Sequence, residues 1–321
     1  MTIDRIFIAC YVGDVRLTRA CVASIRRWYP KIRITLIKDY SQGSFSTRDL
    51  CRRWEVDELV TGRTNYGWSL SKLEPLFLKE QARCFIMDSD IVFLGPVLDA
   101  LGRCDADFIV SGYPAHEVSS EEILKHYLDI EKLKVLDPEF QPPPFYFNAG
   151  HLVATTGVFS RSDLSHIIDW SGVIPYVRDP KTYCCADQGV LNYFLHQQAG
   201  KGRITLESID FAQWPKTPRA RGLRFAESLS HGGIPFMLHW AGLRKPFLRD
   251  MIRHDIIEFF ENEYYRGVRF GGAIKLARAA SYAWTSYRIK LVVGTKIKLG
   301  QSIGPRWVAQ LKRFFRAATG E

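Results

Sequence analysis

The sequence predicts an α/β fold: a mixed, mostly parallel sheet flanked by helices, with a basic helical C-terminal extension. Three observations predict it. Short apolar runs, each ended by Gly, Lys or Asp, alternate from the first residues with helical patterns. Polar residues gather just after those runs, namely Tyr11 with Asp14, Asp39, and Asp88 with Asp90; ligands of open α/β sheets bind there, outside the carboxyl ends of the strands. The charge is lopsided as well. Of a net +10, residues 266–321 hold +11, with 12 Lys or Arg against Glu321, while the preceding 265 residues carry 32 basic and 33 acidic side chains.

The elements follow in order. Ile6 to Tyr11 predicts a buried strand closed by Gly13 and Asp14. Leu17, Cys21, Ile25 and Trp28 share one helical face, and Pro30 closes that helix. Ile32 to Ile37 predicts a second strand, 70–81 a helix, and Cys84 to Met87 the strand that delivers Asp88 and Asp90. Phe108 to Ser111 predicts a short strand, 117–136 a helix, and Pro142 to Pro144 a stiff break. An apolar strand follows Asn148-Ala149-Gly150. A helical pattern follows Asp187, which stands where an N-cap belongs. A further strand ends in His239, and 251–265 predicts a helix through Ile252, Ile256, Phe259 and Phe260.

With 46% apolar and 13% aromatic residues the chain has material for a sizeable core, which excludes a disordered class. No stretch approaches the roughly 20 apolar residues of a membrane-spanning helix, and Asp4 and Arg5 break the opening apolar run too early for a secretory signal. Seven cysteines form no CxxC pair and no zinc spacing, and there is no N-x-S/T sequon. A reduced, cytoplasmic chain is the expectation.

In RCFIMDSDIVFLGPV, residues 83–97, two carboxylates stand one residue apart between apolar flanks. Buried in a strand they would be costly unless neutralised. Strand side chains alternate, so Asp88 and Asp90 point the same way as the strand ends, with small Ser89 between them. That geometry suits a divalent cation held by oxygen ligands together with substrate phosphates; a pair of turn aspartates before Gly95-Pro96 is the plain alternative. In FYFNAGHLVA (145–154), Gly150 permits close backbone approach and Asn148 offers donor and acceptor to hydroxyls. CADQGVLNYFL (185–195) carries Asp187 and Gln188. FMLHWAGLRKPF (236–247) carries His239, a possible metal ligand, with Gly242 and Lys245, suited to phosphate.

Taken together, D-x-D at a strand end, F-N-A-G, D-Q-G-x-L-N and H-x-x-G-x-x-K-P resemble the retaining nucleotide-sugar glycosyltransferases of family 8, the glycogenin and lipopolysaccharide galactosyltransferase type, over about residues 3 to 250. The resemblance implies the Rossmann-like GT-A fold and a catalytic domain over 1–265, with 266–321 as a separate tail. It implies that Asp88, Asp90 and His239 hold Mn²⁺ (or Mg²⁺) bridging the donor diphosphate, a mixed carboxylate and imidazole set compatible with that ion. Gly242 and Lys245 would bind the diphosphate from the other side, Ala9 to Tyr11 would meet the nucleotide base, and Lys72, Ser89 and Gly150 would join the donor site. Asn148, Asp187 and Gln188 would line the sugar pocket as its catalytic group, with Asp187 or Gln188 opposite the leaving group. Transfer with retention from a UDP-sugar to a hydroxyl of a glycan or lipid-linked acceptor, in polysaccharide or lipopolysaccharide synthesis, is the implied function. Two departures stand out: ACYVGD replaces the acidic or Thr-rich first turn, and Phe247 follows Lys245-Pro246 where the family has Trp.

The tail segments AIKLARAASYAWTSYRIKLVV and PRWVAQLKRFFRAA combine Lys and Arg with Trp, Tyr, Phe and Leu. That is the composition of a helix lying on an anionic membrane surface, so a chain bound peripherally to the inner face of a membrane is expected, with no nucleic-acid partner. A solvated basic face and base stacking by the aromatics are the other readings of the same composition. Two functional alternatives remain open: a non-catalytic sugar-binding or scaffold protein on the same fold, and a haloacid-dehalogenase-like phosphatase, which also places D-x-D after an apolar strand.

Overall fold

The computed structural model describes residues 2–302, apart from 68 and 244. A seven-stranded sheet forms its centre. Among the described residues the strands are, in chain order, β1 (Arg5–Tyr11), β2 (Arg33–Asp39), β3 (Val56–Glu58), β4 (Arg83–Asp88), β5 (Ile91–Phe93), β6 (Phe108–Pro114), β7 (Phe145–Thr155), β8 (Ile168–Asp169), β9 (Tyr176–Val177), β10 (Leu206–Ser208), β11 (Ala212–Gln213) and β12 (Met237–His239). The main sheet runs β10-β6-β7-β4-β1-β2-β3. Its pairs are parallel except where β7 lies antiparallel between β4 and β6, which makes the sheet mixed and mostly parallel. A second sheet, β11-β12-β5, stands beside it.

Strand alternation sends Ile6, Ile8 and Cys10 to one face and Phe7 to the other. The first face is covered by helices Val15–Trp28 and His254–Tyr265, the second by the tight helix Leu70–Phe77 and the helix Asp187–Gly200. Both faces are therefore buried, and the central strands read as continuous apolar runs for that reason.

Several expected elements change in the structure. The helix expected over 70–81 is a 3₁₀ helix ending at Phe77, because Pro75 within it lacks an amide hydrogen. The expected helix over 117–136 breaks into Ala115–Glu117, Ser120–His126 and Ile130–Leu136. Leu128 bridges to Tyr183 and the Asp129 amide donates to the Thr182 carbonyl, so tertiary pairing takes the backbone that the helix would have used. The strand expected after Asn148-Ala149-Gly150 begins before it: β7 includes these residues, with a register shift against β6 between Val110 and Gly112. Asp187 is the first helical residue rather than the N-cap; Ala186 holds that position, with φ of 52° after 55° at Cys185. Ile252 precedes its expected helix, which starts at His254. All seven cysteines are free thiols.

The basic tail begins as one helix, Gly271–Ser302. Its base is docked on the domain. Glu261, buried, accepts two hydrogen bonds from Arg16 at 2.6 and 2.9 Å and lies 3.5 Å from Lys275. Asp49 binds Arg19 at 2.9 Å, Arg278 at 2.7 Å and the Tyr264 hydroxyl at 2.6 Å. The expected membrane segment around 305–318 lies outside the described residues. Among the described residues no helix is long and apolar enough to cross a membrane.

Burial opposes the Asp49 charge, but Arg19, Tyr264 and Arg278 outweigh it and draw the pKa down to about 2. A carboxylate depressed in the folded state contributes stability above its unfolded pKa of about 3.9 and loses it as pH falls toward 2. Acidification from pH 4 to 2, or Asp49→Asn at neutral pH, is expected to lower the amide protection factors of residues 271–288 ahead of those of the sheet. Equal protection in Asp49→Asn and the parent would refute the clamp.

Candidate metal and donor site

Register builds the site. β1 pairs with β4 so that Ala9 stands beside Asp88, the last residue of β4. β7 continues past that end: His151 pairs with Met87, and Gly150, Ala149 and Asn148 run on beyond it. Ser89 and Asp90 turn the chain into β5. Antiparallel pairing of β5 with β12 sets His239 opposite Ile91, and the Trp240 amide donates to the Asp90 carbonyl at 3.0 Å. Backbone hydrogen bonds thus bring a histidine from far along the chain to the carboxylates.

The His239 Nε2 atom lies 3.2 Å from Asp90 Oδ1 and 3.6 Å from Asp88 Oδ2. One ligand atom from each of Asp88, Asp90 and His239 falls within 4.8 Å of the others. His239 is 1% exposed, Trp214 stacks on its ring at 5.2 Å, and neither ring nitrogen makes a hydrogen bond. Gly150 forms the floor. A methyl group there would sit 2.3 Å from His239 Cε1 and 2.7 Å from Asp88 Oδ2, so only glycine lets β7 pass this close. Two carboxylates and an imidazole, converging over a floor without side chain, fit a divalent cation of the magnesium or manganese kind.

Behind them lies a buried charge triad. Lys72 Nζ is 2.9 Å from Asp88 Oδ1 and 2.7 Å from Asp187 Oδ2, with Lys72 and Asp187 both buried. Burial disfavours the Lys72 ammonium, yet Asp187 and Asp88 more than offset it and raise its pKa, so it stays charged. For Asp187, burial is the larger effect and the carboxyl is shifted upward despite Lys72. Because Lys72 takes Oδ1 of Asp88, the other oxygen is left on the His239 side.

Amides complete the rim. Asn148 donates to Gln188 Oε1 at 2.7 Å and accepts from the Gly150 amide at 2.9 Å. Gln188 in turn donates to the His126 carbonyl, which the break after that residue leaves open. Asn192, wholly buried, ties this helix to β7 by accepting from the Phe147 amide and donating to the Phe147 carbonyl. Ser89 is buried and its hydroxyl makes no hydrogen bond. Tyr11 is buried at the end of β1, its ring against Gly13. Ala9, Lys72, Asp88, Asp90, Asn148, Gly150, Asp187, Gln188 and His239 are therefore linked through the register pairs, ion pairs and hydrogen bonds just given, with Ser89 between the two carboxylates in the chain. Gly242, at φ of 68°, and exposed Lys245 stand apart on the loop after β12.

Two residues at the site escaped the sequence reading, His151 and Trp214. A histidine inside a strand otherwise filled by Phe, Leu, Val and Ala was the available signal for the first; Trp214 had none, because only tertiary packing lays its ring on His239.

No protein-family model matches the chain, and no curated protein matches it in sequence. Its fold does match solved structures. Galactosyltransferase LgtC, solved with donor and acceptor sugar analogues, aligns over 83% of this chain and 96% of that one, at TM-score 0.51 and 16% identity. The apo WbbM bifunctional glycosyltransferase aligns over 82% of this chain at TM-score 0.52 and 15% identity, and the match spans 50% of that longer chain. What is shared is the fold: this chain has the GT-A architecture of glycosyltransferases.

Replacing Lys72 with Met leaves buried Asp187 without its counter-ion and with the Asp88 carboxylate nearby, and breaking a buried pair in this way costs about 3–5 kcal/mol. The carboxyl can escape by protonation. Its raised folded pKa means the folded state holds a proton that the unfolded state releases, so the deficit grows as pH rises above about 4. Denaturant titrations should show that growth, and Lys72→Met/Asp187→Asn should recover much of the loss at pH 7. A double variant no more stable than Lys72→Met would refute the pairing.

Proposed function

We propose that this chain is a metal-dependent glycosyltransferase, moving a sugar from a nucleoside-diphosphate donor, a UDP-sugar in this reading, to a hydroxyl of a glycan or lipid-linked acceptor. The observation that supports it is the convergence of Asp88, Asp90 and His239 at the carboxyl edge of a GT-A sheet, with Lys72 braced behind them. A phosphatase would need Asp88 as a nucleophile; here Lys72 engages one of its oxygens and the other faces His239, an arrangement suited to holding a cation.

Bound by these three side chains, a Mn²⁺ or Mg²⁺ ion supplies Lewis-acid neutralisation of the departing diphosphate. The rest falls to the chain itself. Gly242 has open space around its α-carbon and brings backbone to the diphosphate, while Lys245 adds a point charge on that side. Ala9 and Tyr11 close the base end. Asn148 and Gln188, already hydrogen-bonded to one another, present amide groups to the sugar, with Gln188 on the face opposite the leaving group. Asp187, held by Lys72, keeps that helix start in place and shares the catalytic assignment. Retention of configuration follows from the sequence resemblance.

Nucleoside diphosphate release from a panel of nucleotide sugars, with and without Mn²⁺, tests the chemistry. Metal-dependent hydrolysis of one donor is expected, lost on chelation and reduced at least about 100-fold in Asp90→Asn, since metal-ion chemistry contributes several kcal/mol. No binding or turnover across the panel would refute the reading.

We also place the chain at the inner face of a membrane, with 266–321 as its attachment. Phe270, Leu276, Trp284 and Tyr287 are exposed on the docked part of the tail, alongside exposed Arg269 and Arg288. That combination favours an anionic interface. Removing 289–321 leaves the docked base intact while deleting seven Lys or Arg and one Glu. Sedimentation with vesicles of anionic lipid should fall sharply, and retention undiminished from the full chain would refute the attachment.

A further inference from the structure

His151 has no place in the chemistry described so far, yet it is the most conspicuous polar group near it. It stands on β7, directly after Gly150, and is 3% exposed. Neither of its ring nitrogens makes a hydrogen bond. An apolar side chain of similar size would fill the same place without the desolvation cost of two unpaired ring nitrogens.

His151 packs against His239. The two rings are 5.5 Å apart, edge to face, with Phe211 closing the other side of His151 at 5.4 Å. His239 turns Nε2 toward the two carboxylates, so its Nδ1 points away from them and also makes no hydrogen bond. His151 supplies no atom to the cation cluster itself. Both histidines line a pocket of about 10 Å³, together with Ser111, Asn148 and Gln213. That volume is on the order of the smallest that admits one water, and a water needs two to four polar partners, which these residues offer. A histidine that binds a metal through one nitrogen almost always donates its other N–H to an acceptor, and the acceptor fixes both tautomer and ring orientation.

We propose that His151 is a positioning residue for the cation site: through one water held in this pocket it accepts the Nδ1 proton of His239, so that Nε2 presents its lone pair to the cation. Trp214, stacked on the face of His239, limits ring tilt, and His151 decides which nitrogen is which. The inference rests on the cation site proposed above, and goes beyond it by assigning the second layer that aims its one nitrogen ligand.

The test is Mn²⁺ binding to the full chain, with free ion followed by its electron paramagnetic resonance signal and melting temperature recorded in parallel. Two near-isosteric variants separate polarity from packing. His151→Met keeps the volume and removes the acceptor; it should weaken Mn²⁺ binding about 10- to 100-fold, the range for loss of a partner behind a metal-binding histidine. His151→Gln keeps a hydrogen-bonding group and should stay within about threefold of the parent on the same physical ground. Equal affinity in His151→Met and the parent would overturn the proposal, as would a loss in His151→Gln as large as in His151→Met. A parent chain that binds no Mn²⁺ would overturn the cation site as well, which tells failure of the site apart from failure of the role given to His151.

Discussion

Lys72 between Asp88 and Asp187 is the constraint on which the site depends. One ammonium, buried beneath the carboxyl edge of the sheet, touches a carboxylate from a strand end and another from a helix start. Charges this far from water persist only when paired. The 3₁₀ helix carrying Lys72, the end of β4 and the first turn of the helix Asp187–Gly200 therefore hold their relative places, because separating any of them would leave a charge uncompensated. With one oxygen of Asp88 anchored, the other faces His239. The charge triad aims the cation cluster.

The other half of the site is aimed by backbone. β5 and β12 pair antiparallel in the small second sheet, and their register sets His239 beside Asp90. β7 then slides beneath with glycine at the one position where a methyl group would strike both His239 and Asp88. Two ladders and a glycine give the geometry, and polar side chains refine it. The same economy operates on the rim, where the helix expected over 117–136 is interrupted and the freed carbonyl of His126 receives Gln188.

Much of this was legible beforehand. The cluster of Asp88, Asp90 and His239 was readable as a candidate cation site because its chemistry is costly elsewhere: carboxylates one residue apart at a strand end, and a histidine at another, need a reason to be there. Strand ends were readable from apolar runs that stop at a polar residue. Errors arose where tertiary contacts outbid local preference. Asp187 reads as a helix cap by type and position, but two left-handed residues before it turn the carboxylate inward to Lys72. Asn148-Ala149-Gly150 stands before an apolar strand in the sequence, but β7 already includes it, and there its register against β6 shifts between Val110 and Gly112.

The sequence by itself determined the periodic elements, the apolar faces that both sides of the sheet must bury, the polar residues at strand ends and the concentration of positive charge in the tail. These follow from patterns of two and 3.6 residues and from charge counts, which are local properties. Only the tertiary structure decided which strand neighbours which, and hence that residues 72, 88, 187 and 239 meet, that His151 backs His239, and that the base of the tail is clamped by Asp49 and Glu261. Pairing across long stretches of chain depends on shape and register, and no window of sequence contains both partners.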